Sequence, residues 1–187
     1  GRVLPTSHKH STARPLGDVV LAAHLAQRLA PADVDWWMGY INDATAIRFM
    51  PFTLGSRADC ALMIQRSLDR YAQDGSGLHA LITADGTAVG QCGLLTQEVD
   101  GAAELEVGYH LHPAHWGRGY ASEAAIACRD FAFARCLAPS VISLIDPGNA
   151  LSQAVARRNG MSCGKRTVHR GIPADVWRVW ADARSGT

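Results

Sequence analysis

A glycine-rich turn, His112-Pro113-Ala114-His115-Trp116-Gly117-Arg118-Gly119-Tyr120-Ala121-Ser122-Glu123-Ala124-Ala125, joins a strand-like segment to an alanine-rich helical one. Such a junction binds anions. The first turn of a helix leaves backbone N–H groups unpaired, its aligned peptide dipoles add about half a positive charge, and glycines let a phosphate approach the main chain. The dinucleotide fingerprint needs three spaced glycines and the Walker loop ends in Gly-Lys-Ser/Thr, whereas here Gly119 is followed by Tyr120 and Ala121. NAD and ATP are therefore disfavoured, and an anionic cofactor of another class is expected.

Just upstream, residues 104–112 alternate as a strand does. Leu105, Val107, Tyr109 and Leu111 fall on one face; Glu104, Glu106, Gly108, His110 and His112 fall on the other. Two carboxylates and two imidazoles beside a cofactor loop suit an amine-acceptor site. The plainer alternative is a solvated polar face, and a bulge in the strand would shift the parity beyond it.

The run Trp116-Gly117-Arg118-Gly119-Tyr120-Ala121 resembles the acetyl-CoA loop of the GNAT acyltransferase superfamily, Gln/Arg-x-x-Gly-x-Gly/Ala. Its leading tryptophan departs from the general pattern and is similar to the Rim-type branch, which includes the ribosomal-protein N-terminal acetyltransferases. Downstream, Asn149-Ala150-Leu151-Ser152 and Arg158-Asn159-Gly160-Met161 resemble the superfamily's Asn-x-x-Ser and Lys-x-Gly-Phe segments. Glu104-Leu105-Glu106-Val107-Gly108-Tyr109 is similar to its Glu-Ile-Gly-Tyr strand. The likeness runs over roughly residues 25 to 180 and is specific between 104 and 161.

The resemblance implies an α/β fold: a mixed, mostly antiparallel central sheet with helices on both faces. It implies acetyl-CoA as co-substrate, no metal, and direct transfer of the acetyl group to an amine in a ternary complex. Leu111 and His112 would then offer backbone N–H groups to the carbonyl and the pantetheine arm. Trp116, Gly117, Arg118, Gly119, Tyr120 and Ala121 would hold the phosphates, and Asn149 the pantetheine amide as well as capping its helix. Glu106 becomes the first candidate for the base, directly or through water, and Glu104 the second. Many relatives place a tyrosine seven residues after the asparagine, where this chain has Ala156. Ser152 is then the remaining candidate for the leaving sulfur, as a hydrogen-bond partner more than as an acid.

The chemistry tilts the choice of acceptor. A carboxylate with a pKa of about 4.3 is a feeble base toward a lysine ammonium near about 10.4. An α-amine at about 7.7 to 8.0 has roughly a tenth of its molecules neutral at pH 7, so a weak base suits a protein or peptide N-terminus better. A small amine such as an antibiotic or a polyamine is the alternative acceptor. A catalytically idle acyl-CoA-binding module is the alternative of another class.

Composition agrees with one such domain. The 187 residues carry 18 basic and 17 acidic side chains, a formal net charge of +1 and no long basic run, which argues against nucleic acid as a partner. Five cysteines, none in a Cys-x-x-Cys pair, fit free thiols in a reducing cytoplasm. Cys92 and Cys128 sit in apolar runs that raise a thiol pKa, against a covalent acyl-enzyme. The histidines lack the flanking ligands of a familiar metal set, and no apolar stretch is long enough to span a membrane.

The elements that must position these groups follow from pattern. Residues 1 to 15 read as a flexible extension, with a single domain over 16 to 187. A short strand near Leu25 and Leu29 precedes a helix begun at Pro31-Ala32-Asp33 and a second helix capped by Ser56. Three strands, 78–83, 89–96 and 104–111, are joined by Asp85-Gly86 and Asp100-Gly101 turns and should be antiparallel neighbours. A helix from about Gly119 to Arg135, a strand 141–145, a helix capped by Asn149 and ended by Gly160, and strands 162–169 and 176–180 complete the chain. The last hairpin's edge offers a homodimer contact. Trp36, Trp37, Phe49, Met50 and Phe52 belong either to the core or to the rim of the acceptor cleft.

Overall fold

The structure, a computed structural model, describes residues 24–50 and 55–184; the extension read at 1–15 and Phe52 lie outside them. Seven strands form one sheet: β1 (His24–Arg28), β2 (Leu78–Thr83), β3 (Ala88–Val99), β4 (Ala102–Leu111), β5 (Ser140–Ile145), β6 (Ser162–His169) and β7 (Ile172–Trp180). Their order is β1-β2-β3-β4-β5-β7-β6, and among the described residues only the neighbours β4 and β5 run parallel. The expected mixed, mostly antiparallel sheet is what forms.

The hairpins are decided locally. Asp100 (φ 50°) and Gly101 (φ 81°) occupy the left-handed region between the paired residues Val99 and Ala102, as a two-residue loop requires. Arg170 and Gly171 do the same between His169 and Ile172, so β7 starts at Ile172, earlier than the sequence pattern indicates. Among the described residues four α-helices cover the sheet: α1 (Val34–Ile41), α2 (Arg57–Asp74), α3 (Tyr120–Ala134) and α4 (Ala150–Arg158). Ser56 caps α2 by accepting the Asp59 N–H at 3.1 Å, and Gly75 ends it at φ 71°.

Two apolar clusters lie on opposite faces. Ala124, Ala125, Cys128 and Ala132 of α3, with Val155 and Ala156 of α4, pack on Val107, Leu111, Val141 and Ile145. On the other face Trp37, Tyr40 and Ile41 of α1 and Cys60 and Ile64 of α2 pack with Leu29 and Ala80. Trp37 and Tyr40 of α1 stand edge-on to His110, so α1 roofs this end of the second face of β4, while Ala102 and Ala103 at its start are exposed.

Candidate active site

The cleft arises where β4 and β5 stop pairing. Their register contact is Glu106 with Ile142; beyond it residues 107–111 and 143–146 line the two walls of a cleft of about 690 Å³. Ser143, buried at the fork, donates its Oγ–H to the Val107 carbonyl at 2.7 Å. That side chain satisfies the strand edge where a neighbouring strand otherwise would.

The ladder on the other side of β4 fixes which backbone groups face the cleft. Pairing with β3 is unbroken from Val99/Ala102 to Gly90/Leu111, and the His112 N–H donates to the Val89 carbonyl at 2.9 Å. Hydrogen-bond direction alternates along an antiparallel strand. Tyr109 and Leu111 therefore direct their N–H groups away from β3, into the cleft. The Leu111 N–H, expected to meet the cofactor, thus points into the cleft, whereas His112 is corrected: its N–H is consumed by the sheet. The Val107 and Leu111 carbonyls agree, the latter accepting the Trp116 indole N–H at 2.9 Å.

At one end of the cleft stands the glycine turn. Gly117 (φ 77°) and Gly119 (φ 79°) are both left-handed, and Gly119 is the N-cap of α3 without any side-chain cap, so the first-turn N–H groups look outward. Trp116, Gly117, Gly119, Tyr120, Ala121 and Ser122 line this end. Arg118 is exposed on the turn and does not line the cleft. Arg158, at the end of α4, does line it and donates to Ser122 Oγ at 3.3 Å. The sequence showed Arg158 only as a motif position; its role beside the turn depends on how α4 packs on α3. Two left-handed glycines, an uncapped helix start and a guanidinium fit a polyphosphate of the size that CoA carries.

The middle of the cleft holds Asn149 and Ser152. Asn149 Oδ1 accepts the Ser152 N–H at 3.1 Å, which makes it the cap of α4 and leaves its amide NH₂ as the remaining polar group. The Ser152 carbonyl accepts from Tyr109 Oη at 2.8 Å, tying α4 to β4. Both residues line the cleft, so Ser152 reaches the wall opposite β4.

At the far end the two glutamates part company. Glu106 is buried, lines the cleft and accepts from Gln97 Nε2 at 3.3 Å. Burial pushes its carboxyl above the ordinary range, opposed by the Gln97 contact and by the more distant Arg170 and Arg70. Glu104 stands outside the cleft. It binds Arg178 in bidentate fashion at 2.7 and 2.8 Å, the same guanidinium reaching Ser140 Oγ, and this pairing holds its carboxyl below the usual range. It is corrected from second candidate base to a brace between β4 and β7. Because the folded pKa is depressed, the pair's contribution is present above the unfolded carboxylate pKa and fades as pH falls through the folded value. Glu104→Gln should cost about 1.5 kcal/mol, between an exposed and an enclosed pair, or roughly 3 to 6 °C in Tm. Thermal unfolding at pH 7 and pH 4 checks this: the gap from wild type should narrow at the acid pH.

His110 shares the Glu106 face. Its Nδ1 lies 3.4 Å from Tyr40 Oη, and that hydroxyl donates to the Ala46 carbonyl at 3.2 Å. In a tautomer that carries its proton on Nδ1, the ring would donate to Tyr40 and leave Nε2 as an acceptor. Burial lowers the His110 pKa to about 4, so the ring is neutral at physiological pH. Tyr40, Arg48, Phe49 and Met50 complete this end; Trp37 instead stacks on Tyr40 at 4.1 Å and is fully buried. Cys92 and Cys128 face each other at 3.5 Å inside the core, with the Cys92 thiol raised, away from the cleft lining. Among the described residues no group of three His, Cys, Asp or Glu could hold a metal, and no helix is long and apolar enough to cross a membrane.

Residues 25–162 match the model of the acetyltransferase (GNAT) domain family. YkkB of Bacillus subtilis is 40% identical over 108 residues, 56% of this chain and 63% of that protein, so the chain spans less than two thirds of this relative's length. An acetyltransferase from Agrobacterium tumefaciens superposes with a TM-score of 0.72 at 25% identity, covering 86% of this chain and 92% of that one. RimL, a ribosomal L7/L12 alpha-N-protein acetyltransferase solved with coenzyme A, shares the fold at a TM-score of 0.71 and 16% identity, over 88% of this chain and 98% of its own.

Proposed function

Because this chain belongs to the GNAT acetyltransferase family, we propose that it moves the acetyl group of acetyl-CoA directly onto a primary amine, with a protein or peptide N-terminus as the favoured acceptor. The observation that carries this reading is the fork between β4 and β5. It leaves one continuous cleft with an anion-binding turn at one end and a buried carboxylate of raised pKa at the other.

Each step has residues for it. The phosphates of CoA sit on the first-turn N–H groups of α3 and beside Arg158. The pantetheine arm lies along the edge of β4 opened at Tyr109 and Leu111, and an N–H from that edge stabilises the oxygen that becomes negative as the amine adds to the carbonyl. Glu106, directly or through water, takes the amine's proton. The carbon–sulfur bond then breaks, and the departing thiolate is met by the Ser152 side of the cleft before it is protonated. Burial makes Glu106 a better base than an ordinary carboxylate, and because any carboxylate stays a weaker base than a lysine amine of about 10.4, an α-amine of about 7.7 to 8.0 is the acceptor it serves more readily.

Release of CoA thiol from acetyl-CoA, measured with N-terminal peptides, lysine peptides, polyamines and aminoglycosides at pH 7 to 8, tests the proposal. Turnover with N-terminal peptides supports it. Turnover confined to polyamines or aminoglycosides replaces the acceptor, and CoA binding with no turnover anywhere replaces the enzyme by a binding module. Arg158→Ala should weaken CoA binding by about tenfold, as the loss of one charge-assisted phosphate contact does. Titration at low and high salt checks it, since the difference from wild type should shrink as salt screens the charge.

A further inference from the structure

Residues 43–50 make an irregular turn after α1, and hydrogen bonds fix it along its length. Asp43 Oδ1 accepts the Thr45 and Ala46 N–H groups at 2.9 and 3.1 Å, the Asp43 carbonyl accepts the Ile47 N–H at 3.1 Å, and the Met50 N–H donates to the Ile47 carbonyl at 3.0 Å. Tyr40 Oη, donating to the Ala46 carbonyl at 3.2 Å, hangs the turn from α1. Ala46, Ile47 and Met50 pack on the apolar cluster of α1 and α2. The ring of Phe49, between these anchors, reaches instead across to the loop after β5, where a Cβ at Gly148 would lie 3.3 Å from Phe49 Cε1 and 3.9 Å from Cζ. The Arg48 guanidinium lies over the same ring at 5.0 Å. Phe49, Gly148 and Asn149 all line the cleft. The ring thus joins the segment that hangs from α1, beside His110 of β4, to the wall that follows β5.

This ring stands where an acyl chain has to go. On the acetyl-transfer reading, on which this inference rests, the thioester lies between the Leu111 N–H and Asn149, the residue after Gly148. The fork itself is shut by the contact of Ser143 with the Val107 carbonyl, which leaves the acyl group two directions. One runs back along β4 over Gly108. A Cβ there would lie 2.9 Å from Leu95 Cδ1 and 3.6 Å from Glu106 Oε1, so the carboxylate leans along the strand and, with Leu95, fills the space above Gly108. The amine that the carboxylate serves must stand there too. The other direction leads toward residues 43–50 and ends on Phe49. We propose that Phe49 fixes the length of the acyl chain that is transferred, admitting acetyl and turning away longer acyl groups. With Gly148 against its edge and Arg48 over its face, the ring has little room to turn, and each added methylene pressed on it meets the cost of overpacking.

The test gives the full chain acetyl-, propionyl- and butyryl-CoA, and reads thiol release to N-terminal peptides at pH 7 to 8 and calorimetric binding of each donor without any acceptor. Propionyl-CoA should be used about tenfold less well than acetyl-CoA in kcat/KM and butyryl-CoA about a hundredfold less well, near the lower end of what a methylene is worth in an apolar pocket. Binding should follow the same order. Phe49→Ala should bring butyryl-CoA to within about threefold of acetyl-CoA. Phe49→Leu, which keeps an apolar side chain and serves if the alanine variant does not fold, should leave butyryl-CoA about tenfold behind. A weaker fold lowers all three donors together, so their ratio reads the ring's part in selection and not its part in stability. Equal use of acetyl- and butyryl-CoA by the wild type, or a preference that survives unchanged in the folded variants, overturns the inference while the acetyltransferase reading stands. Chain-length-dependent binding that Phe49→Ala abolishes, with no thiol release to peptides, polyamines or aminoglycosides, has the opposite meaning: the transferase reading fails and Phe49 keeps its role in an acyl-CoA site. Absence of binding and turnover with every donor rejects both.

Discussion

Glu106→Gln should lower turnover by about a hundredfold, within the range that a lost general base commands, while leaving CoA affinity unchanged. The substitution keeps the side chain's size and its contact with Gln97, and it removes only the group that accepts a proton. The folded pKa of Glu106 is raised by burial. The contribution of this group to stability is therefore fully present below the unfolded pKa of about 4.3 and is lost as pH rises through the folded value. At pH 7.5 the neutral glutamine should leave Tm equal or higher, so that a slower enzyme cannot be ascribed to a weaker fold. The pH profile of kcat/KM gives a second, independent reading. With an α-amine acceptor the wild-type profile should have unit slope below about pH 8, where the amine protonates, and a slope of two below the raised Glu106 pKa. The variant should keep unit slope throughout. Loss of less than tenfold, or an acid limb that remains steep in the variant, would remove Glu106 from the mechanism and turn attention to His110 Nε2 or to unassisted attack by the free amine.

Gly90→Ala should be the most disruptive single methyl near the site. A Cβ there would run into the His110 carbonyl oxygen and lie 2.9 Å from Leu111 Cα, both backbone atoms that no rotamer change can move. The end of β4 must shift, and with it the Leu111 N–H that faces the cleft. Overpacking against backbone should cost about 3 kcal/mol, roughly 6 to 12 °C in Tm, and the folded protein should also bind CoA poorly. Gly93→Ala is the informative partner. Its Cβ would meet the Gly77 carbonyl oxygen, on the β2 side and away from the cleft. It should destabilise to a comparable degree yet leave CoA affinity of the folded fraction near wild type. Gly55→Ala, with open space around it and no positive φ, should change neither. Calorimetry of CoA binding below each variant's unfolding range, alongside Tm, separates the outcomes; equal CoA affinity in Gly90→Ala and wild type would show that the Leu111 edge is not where the pantetheine binds.

The glycine turn, the Ser56 and Asn149 caps and the two Asp-Gly hairpins were legible because each is settled within a few residues of chain, by φ preferences and by side chains reaching the next turn. The alternation along β4 was legible too, and the unbroken register with β3 preserves it to Leu111. That same alternation could not choose between Glu104 and Glu106, which share a face two residues apart. The choice was made by Arg178, 74 residues further along, which clamps Glu104, and by the packing that buries Glu106 against Gln97 of β3 and the end of β5. Nor could it tell which strand-end N–H faces the ligand: the His112 N–H is spent on Val89, and this depends on how two strands align. Arg158 beside Ser122 and Phe49 against Gly148 are likewise products of packing between distant segments. The sequence by itself determined the elements, their caps and the family to which the loop points, since those are short-range properties of the backbone. Which carboxylate is buried, which is neutralised and which side chains wall the cleft were decided only by the tertiary structure, because burial and charge pairing are set by groups far apart in the chain.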